Sequence, residues 1–312
     1  MGDRKKILVI RGGAIGDFIL TLPALRLVRE GFPDCRMEII GYRHICAVAT
    51  GRYYAEASRS IEYAPMAGFF NPKADHDREL AEYFSSFGQV ISYLYDPDRH
   101  FAQSLERCGV RHFLSVDPRV KSGEHAARHL ARPLEQMALF LEDPAAVIYP
   151  SAEDVAAAEK RIPKDARFVA LHPGSGSPRK NWPLARWREL IERLRVEGPT
   201  PVVVGGESDA EVLKALREAF PGGGVVFLEG LPLPELGAVL SRATLFIGHD
   251  SGISHLAAAA GARCVLLFGP TDPAIWAPAN PGVNVLRDAS GLLENISLRD
   301  VCAAVESILS NS

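Results

Sequence analysis

Residues 245–272 read LFIGHDSGISHLAAAAGARCVLLFGPTD, and the order of apolar, polar and small residues in them decides the fold class. A short apolar strand (Leu245–Ile247) leads into a polar turn (Gly248–Ser254) and an Ala-rich helix (His255–Ala260). Gly261 stops the helix, and a second apolar strand (Cys264–Phe268) follows. In a βαβ unit of this kind the helix begins at the carboxyl end of the first strand, where open parallel sheets bind ligands. Asp250 or Ser251 is placed to cap the helix, and Gly252 lets a ligand come close to the backbone. The free amides and the positive end of the helix dipole favour an anion there, above all a phosphate. A capped, buried helix with no ligand has the same signature, so this stretch alone leaves both readings open.

Working back from it, strands and helices alternate as far as residue 151. A helix is expected over 152–162, a strand over Phe168–Leu171, a loop over His172–Pro183 and a helix over Trp187–Arg195. Then come a strand (Pro201–Val204), the GGESD turn (205–209), a helix (Ala210–Ala219), a strand (Val225–Leu228) and a helix (Pro234–Ser241). Leu298–Leu309 has the apolar stripe of a final helix. The second half is thus a doubly wound α/β domain in its own right.

The first half opens on KILVI (Lys6–Ile10), an uninterrupted apolar strand of the kind that both faces of a parallel sheet bury. In the helix that follows, Ile15, Ile19, Leu22, Leu25 and Val28 share one face. Pro23 costs about 3 kcal/mol in a helix interior, so this helix is expected to bend there or to start after Gly16. A strand at Met37–Gly41, helical character over 47–58, a helix at Glu79–Phe87 and strands at Gln89–Leu94 and Arg111–Leu114 complete a second α/β pattern. The Pro-containing stretch 141–151 reads as a linker. Two Rossmann-like doubly wound domains are therefore expected, over 1–150 and 151–312, with the final helix (298–309) packing back on the first.

Composition narrows the class. Among 312 residues, 35 Lys and Arg against 38 Asp and Glu give a net charge of −3, so no strong field for nucleic acid exists. The five Cys are scattered without C-x-x-C spacing, which argues against a disulfide framework or a Cys-based zinc site and suits a reducing compartment. No apolar run reaches the ~20 residues of a membrane span, and no signal-peptide core follows the basic start. A cytoplasmic protein is expected.

Several residues carry candidate chemistry. The first loop, RGGAIGD (11–17), fails the dinucleotide fingerprint because Arg11 stands at its first glycine and no acid ends the second strand. Asp17 sits at a helix start, either complementing the dipole or acting as a general base. The second loop, HPGSGSPRK (172–180), offers small residues for close approach to phosphate and Lys180 as a point charge. Its composition also suits a plain surface turn. His249, Asp250 and His255 lack metal-site spacing, and His255 suits a phosphate contact at the helix start. His125, Arg128, His129 and Arg132 form a basic helix face, either solvated or facing an anionic acceptor or membrane.

Taken together, the Gly-Asp loop followed by LTLPAL, then HPGSGSPRKNWP, VVVGG and GHDSGISHLAAAAGARCVLLFGPTD, closely resemble glycosyltransferase family 9, the ADP-heptose:lipopolysaccharide heptosyltransferases. The resemblance runs from Ile7 to about Trp276. It implies a GT-B fold, two Rossmann-like domains facing a central cleft, with the acceptor on the N-terminal domain and the nucleotide-sugar on the C-terminal one. It implies inverting, metal-independent transfer of a heptose from ADP-heptose to a lipopolysaccharide inner-core acceptor. Asp17 matches the family's base, and Lys180, Ser175 and Gly176 match its contacts to the donor diphosphate. Asp250, Ser251, Gly252 and His255 match the motif that holds the diphosphate end, while Gly12 and Gly13 line the cleft from the other domain. An acid near the ribose is expected among Glu207, Asp209 and Glu211.

The resemblance implies no cofactor and no metal, the nucleotide-sugar being a co-substrate, and a lipid-linked saccharide acceptor reached by peripheral contact with the cytoplasmic membrane. The loop before Gly-Asp departs from the family in carrying Arg11-Gly-Gly-Ala rather than hydroxyl residues. Two other functions are compatible with these residues: a GT-B nucleotide-sugar epimerase and a non-catalytic sugar-nucleotide binding protein. The sequence leaves the oligomeric state open.

Overall fold

The computed structural model describes residues 5–71, 73–120 and 123–310. The chain divides into two compact units, Met1–Pro144 and Ala145–Ser312, parting within the Pro-containing stretch. The two expected α/β patterns are both present, and no helix among the described residues is long and apolar enough to cross a membrane.

In the first unit β1 (Lys6–Ile10), β2 (Arg36–Gly41), β3 (Ala57–Ser60), β4 (Gln89–Ser92) and β5 (Phe113–Ser115) form a parallel sheet in the order β3-β2-β1-β4-β5. Its helices are α1 (Ile15–Gly31), α2 (Arg43–Cys46), α3 (Arg78–Ser85), α4 (His100–Arg107) and α5 (Ala126–Ala131). Ile7, Leu8, Val9 and Ile10 are all buried, as a central strand covered on both faces requires. Two local expectations are corrected. First, α1 starts at Ile15 and runs through Pro23, because Phe18, Ile19, Leu22, Pro23 and Leu25 are all buried and their burial outweighs the lost backbone bond. Second, the helical character expected over 47–58 is absent. Helix α2 ends at Cys46, Gly51 turns the chain at φ +67°, and Ala57 pairs with Glu38 as the first residue of β3.

The second unit holds α6 (Ala152–Arg161), β6 (Phe168–His172), α7 (Leu184–Glu197), β7 (Thr200–Gly205), α8 (Ala210–Ala219), β8 (Val226–Glu229) and α9 (Leu233–Leu240). They are followed by β9 (Leu245–His249), α10 (Gly252–Ala259), β10 (Cys264–Phe268), α11 (Pro273–Trp276), β11 (Val283–Arg287) and α12 (Leu298–Leu309). The sheet order is β11-β10-β9-β6-β7-β8, all parallel, and β11 is an added edge strand not marked in the sequence pattern. From β6 onward this is the 3-2-1-4-5-6 order of dinucleotide-binding sheets. Helix α12 gives Val301, Cys302 and Val305 to the core of the second unit.

That core also fixes the loop after β6. Trp182 and Trp187 pack edge to face, 5.5 Å between centroids, and the Trp182 indole N–H donates to the Ile296 carbonyl at 2.9 Å. Burying both indoles anchors the far end of the 172–181 loop to the sheet.

Candidate active site

In a doubly wound sheet the strand order reverses at one point, and the loops diverge there to leave a crevice at the carboxyl ends of the strands. In the second unit that point lies between β6 and β9, so the loop after β6 and the turn before α10 meet. In the first unit it lies between β1 and β4, which exposes the β1–α1 turn.

The β9–α10 turn caps its helix with Ser251, whose Oγ accepts the Ser254 N–H at 3.4 Å. Helix α10 therefore begins at Gly252, earlier than the expected His255, and the Gly252 and Ile253 amides have no intrahelical acceptor. Asp250 does not cap. Its Oδ2 accepts from Lys180 Nζ at 2.6 Å and from Thr271 Oγ1 at 2.7 Å, which ties the two loops together. Asp250 is 10% and Lys180 29% exposed, and the lysine keeps two more ammonium protons for another acceptor. An acid contacting a diphosphate directly would repel it. The geometry gives Asp250 the task of aiming Lys180. His255, expected at the phosphate, is buried on the fourth residue of α10.

Behind this turn lies a histidine layer for which only the HPG and GHD letters gave a signal. His249 is fully buried; its Nε2 accepts the Trp182 N–H at 2.9 Å and its Nδ1 lies 3.2 Å from the Gly174 carbonyl. Burial pushes its pKa down to about 3, so the ring is neutral, with Nδ1–H donating and Nε2 accepting. It thereby clamps both ends of the 173–182 segment. His172 lies 3.2 Å from Asp209 Oδ2 through Nε2 and 3.3 Å from Ser251 Oγ through Nδ1. Burial pushes the Asp209 carboxyl up, but the bonds from His172 and the Gly206 amide outweigh it and hold Asp209 below its ordinary range. A Cβ on Gly174 would stand 1.8 Å from Asp209 Oδ1, so only glycine lets this loop lie on the carboxylate.

The remaining donor-side candidates separate clearly. The Ser175 hydroxyl is turned into its own loop, 2.7 Å from both the Ser177 carbonyl and Asn181 Oδ1. Gly176 is exposed with open space where a side chain would be. Of the three acids considered for a ribose, Asp209 is buried and committed to His172, whereas Glu207 and Glu211 are exposed.

On the first unit, Gly13 takes φ +97°, and a Cβ there would lie 2.8 Å from Asp17 Oδ2. Asp17 stands in the first turn of α1, 41% exposed, with Oδ2 accepting the Ala14 N–H at 3.0 Å and Oδ1 3.7 Å from the Arg11 guanidinium. Arg11 itself is buried and also donates to Thr21 Oγ1 at 3.0 Å and to the Asp17 carbonyl at 3.2 Å. The departure from the family loop is thus a buried cation that holds the Asp17 backbone and side chain in one pose. A Cβ on Gly12 would meet Ile61 at 3.4 Å and Leu94 at 3.6 Å.

The basic face over 125–132 is engaged in surface contacts within its own unit. Arg128 donates to the Leu141 and Glu142 carbonyls, His129 contacts the Asp117 carbonyl, and Arg132 pairs with Glu124. Among the described residues, no group of three or more His, Cys, Asp and Glu is placed to hold a metal ion.

Two parallel doubly wound units, the second with Lys180 and the β9–α10 turn brought together at its switch point, define a protein of the GT-B class. The sequence model of glycosyltransferase family 9 (heptosyltransferase) matches residues 118–301, more than half of the chain, and the chain belongs to that family. Lipopolysaccharide heptosyltransferase 3 of Escherichia coli is 24% identical over 292 residues, covering 84% of this chain and 83% of its own. The fold is shared with glycosyl transferase family 9 from Veillonella parvula (TM-score 0.81, 21% identity, 100% of this chain and 99% of that one). It is also shared with E. coli heptosyltransferase WaaC solved with ADP (TM-score 0.74, 20% identity, 97% and 99%). A more distant neighbour, E. coli TibC, is described as an iron-containing dodecameric glycosyltransferase (TM-score 0.61, 17% identity, 99% and 79%).

Proposed function

We propose that this protein is an inverting heptosyltransferase that moves a heptose from ADP-heptose to the inner core of a lipopolysaccharide acceptor. The observation that carries the reading is the coupling of Lys180 to the β9–α10 turn through Asp250 and Thr271 at the switch point of the second sheet, in a chain of family 9. The second unit takes the nucleotide-sugar. As the anomeric bond breaks, negative charge grows on the departing diphosphate. Lys180 and the amides of Gly252 and Ile253 are preorganised donors for it, where such donors are worth most. Glu207 and Glu211 are left as ribose contacts, since Asp209 is occupied.

The first unit takes the acceptor and supplies Asp17, whose carboxylate removes the proton of the attacking hydroxyl as it displaces the diphosphate. Arg11 and the Ala14 amide orient that carboxylate without replacing it. Charge on the leaving group is met by Lys180 and backbone amides, so the proposed reaction uses no metal and no cofactor. The acceptor is lipid-linked, which assigns the protein to the cytoplasmic face of a membrane by peripheral contact.

The test is a thermal-shift panel of ADP, UDP, GDP and CDP with the wild-type chain and Lys180→Ala. A ligand at ~100 times its Kd adds ~2.7 kcal/mol to stability, a readily measured shift. Stabilisation by ADP, weakened in the variant, is the expected result. A preference for UDP or GDP would remove ADP-heptose as donor, and no shift with any nucleotide would sink the assignment of the site. ADP-heptose left intact in water without acceptor separates transfer from epimerisation.

A further inference from the structure

A recess of about 670 Å³ opens in the first unit at the amino ends of β1, β4 and β5. From there β1 runs five residues, a rise of roughly 17 Å, before the chain reaches Arg11 and the turn that carries Asp17. The recess is thus at the other end of the sheet from the β1–α1 turn, and none of the residues considered for donor or acceptor lines it. Its volume falls within the ~300–1,000 Å³ of small-molecule sites.

The lining is apolar in its depth and positive at its mouth. Phe87 is buried and Phe32 and Met137 are half-buried, whereas Lys5 and Arg111 are exposed. Lys6 is half-buried between them, with Nζ 6.0 Å from the centre of the Phe87 ring, so positive charge begins where the apolar floor ends. No Asp or Glu lines the recess. Other arginines of this unit are spent on protein partners: Arg29 on Glu56, Arg36 on Glu38, Arg119 on Asp117 and Arg132 on Glu124. Among the described residues, Lys5 and Arg111 make no hydrogen bond or ion pair through their side chains.

An inorganic anion at this mouth would leave the apolar depth in water, and a neutral hydrocarbon would gain nothing from the cations. A ligand with both parts uses the whole recess. We propose that it binds a single-chain anionic amphiphile, of which a fatty acid is the simplest member. The chain lies against Phe32, Phe87 and Met137, and the head group meets Lys5 and Arg111. A bilayer surface does not suit this face, because peripheral contact with lipid needs apolar side chains that protrude, and here they are recessed beneath the charges. Phe32 caps the end of α1, and Gly88 leads into β4, so a bound chain braces the end of that helix against the starts of β1 and β4.

The test is isothermal titration of the full-length chain with octanoate, decanoate and dodecanoate below their micelle concentrations. Acetate serves as a head group without a chain, decanol as a chain without a charge, and vesicles of phosphatidylcholine with phosphatidylglycerol as a bilayer. Expected are one fatty acid per chain, affinity rising roughly tenfold for each two methylenes added, weak binding of decanol and none of acetate. Hydrogen exchange should slow at residues 32–36, 86–89 and 109–112 when dodecanoate is bound.

Lys5→Glu combined with Arg111→Glu, both at exposed positions, should weaken dodecanoate about tenfold or more by like-charge repulsion and leave decanol unchanged. Met137→Trp, which enlarges a half-exposed side chain into the recess, should weaken both. Far-UV circular dichroism of each variant checks that it folds. No binding of dodecanoate, equal affinity in wild type and both variants, protection elsewhere in the chain, or association with the vesicles alone would each overturn the proposal. None of these readouts involves nucleotide or acceptor, so the recess and the transferase reading stand or fall separately.

Discussion

The β1–α1 turn and the β9–α10 turn are the same device placed in two sheets. Each follows a central parallel strand and each starts a helix at a switch point. They differ in where the negative charge at the helix start comes from. In the first, the protein supplies its own: Asp17 occupies the first turn of α1 and its carboxylate bonds the Ala14 amide. In the second, the nearby acid is withdrawn. Asp250 is taken up by Lys180 and Thr271, and Ser251 caps, which leaves no carboxylate in the first turn of α10. A helix N-terminus is neutral as to function; the side chain in its first turn decides whether it holds a base or receives an anion.

Substitutions that exchange those roles test the contrast most severely. Asp17→Asn keeps an acceptor for the Ala14 amide and removes the proposed base, so kcat should fall about 10²- to 10⁴-fold with ADP affinity unchanged. A variant that retained turnover would remove Asp17 from the chemistry. Lys180→Ala should cost about 10²- to 10³-fold in kcat/KM and weaken ADP binding, since the donor lost is one that meets developing charge. Equal kinetics in variant and wild type would reduce Lys180 to a partner of Asp250.

Smaller effects probe the layer that holds the second turn in place. Gly174→Ala drives a methyl group against Asp209, 1.8 Å from Oδ1, and should cost about 3 kcal/mol in denaturant unfolding, a large overpacking penalty. His249 adds a pH signature. Its pKa lies at about 3 in the folded chain against an ordinary 6.5, so between these values the unfolded chain binds the extra proton and the folded one does not. Stability therefore falls as pH drops from 6.5 toward 3, by at most about 1.4 kcal/mol per pH unit. His249→Asn should flatten the slope over that window; an unchanged slope would assign it to other groups. The smallest expected effect belongs to the ribose. Glu207→Gln or Glu211→Gln, whichever bears the contact, should weaken ADP by about fivefold, roughly 1 kcal/mol.

Much of this was legible without coordinates. The apolar runs Lys6–Ile10, Phe168–Leu171 and Cys264–Phe268 marked buried parallel strands, since both faces of such strands must be apolar. Glycines before Asp17 and around Ser251 marked the turns. Less legible were the segments whose local signal competes with packing. Pro23 argued for a break that the buried face of α1 overrode. Ala47–Ser58 read as helix until Gly51 and pairing with β2 redirected it, and β11 showed itself only as a partner for β10.

The candidate site divides along the same line. The sequence by itself determined the fold class, the family and the residue types at the site, because those depend on periodicity and on short motifs whose residues are neighbours in the chain. Tertiary structure alone decided which of them point outward. It bonded Asp209 to His172, turned the Ser175 hydroxyl into its own loop, paired Asp250 with Lys180, buried His255, and drew His172 and His249 in behind the turn. Apart from the burial of His255, each of these decisions is a hydrogen bond, most of them between residues tens of positions apart. Such bonds depend on sheet order and on the exclusion of water, neither of which is written in any local stretch.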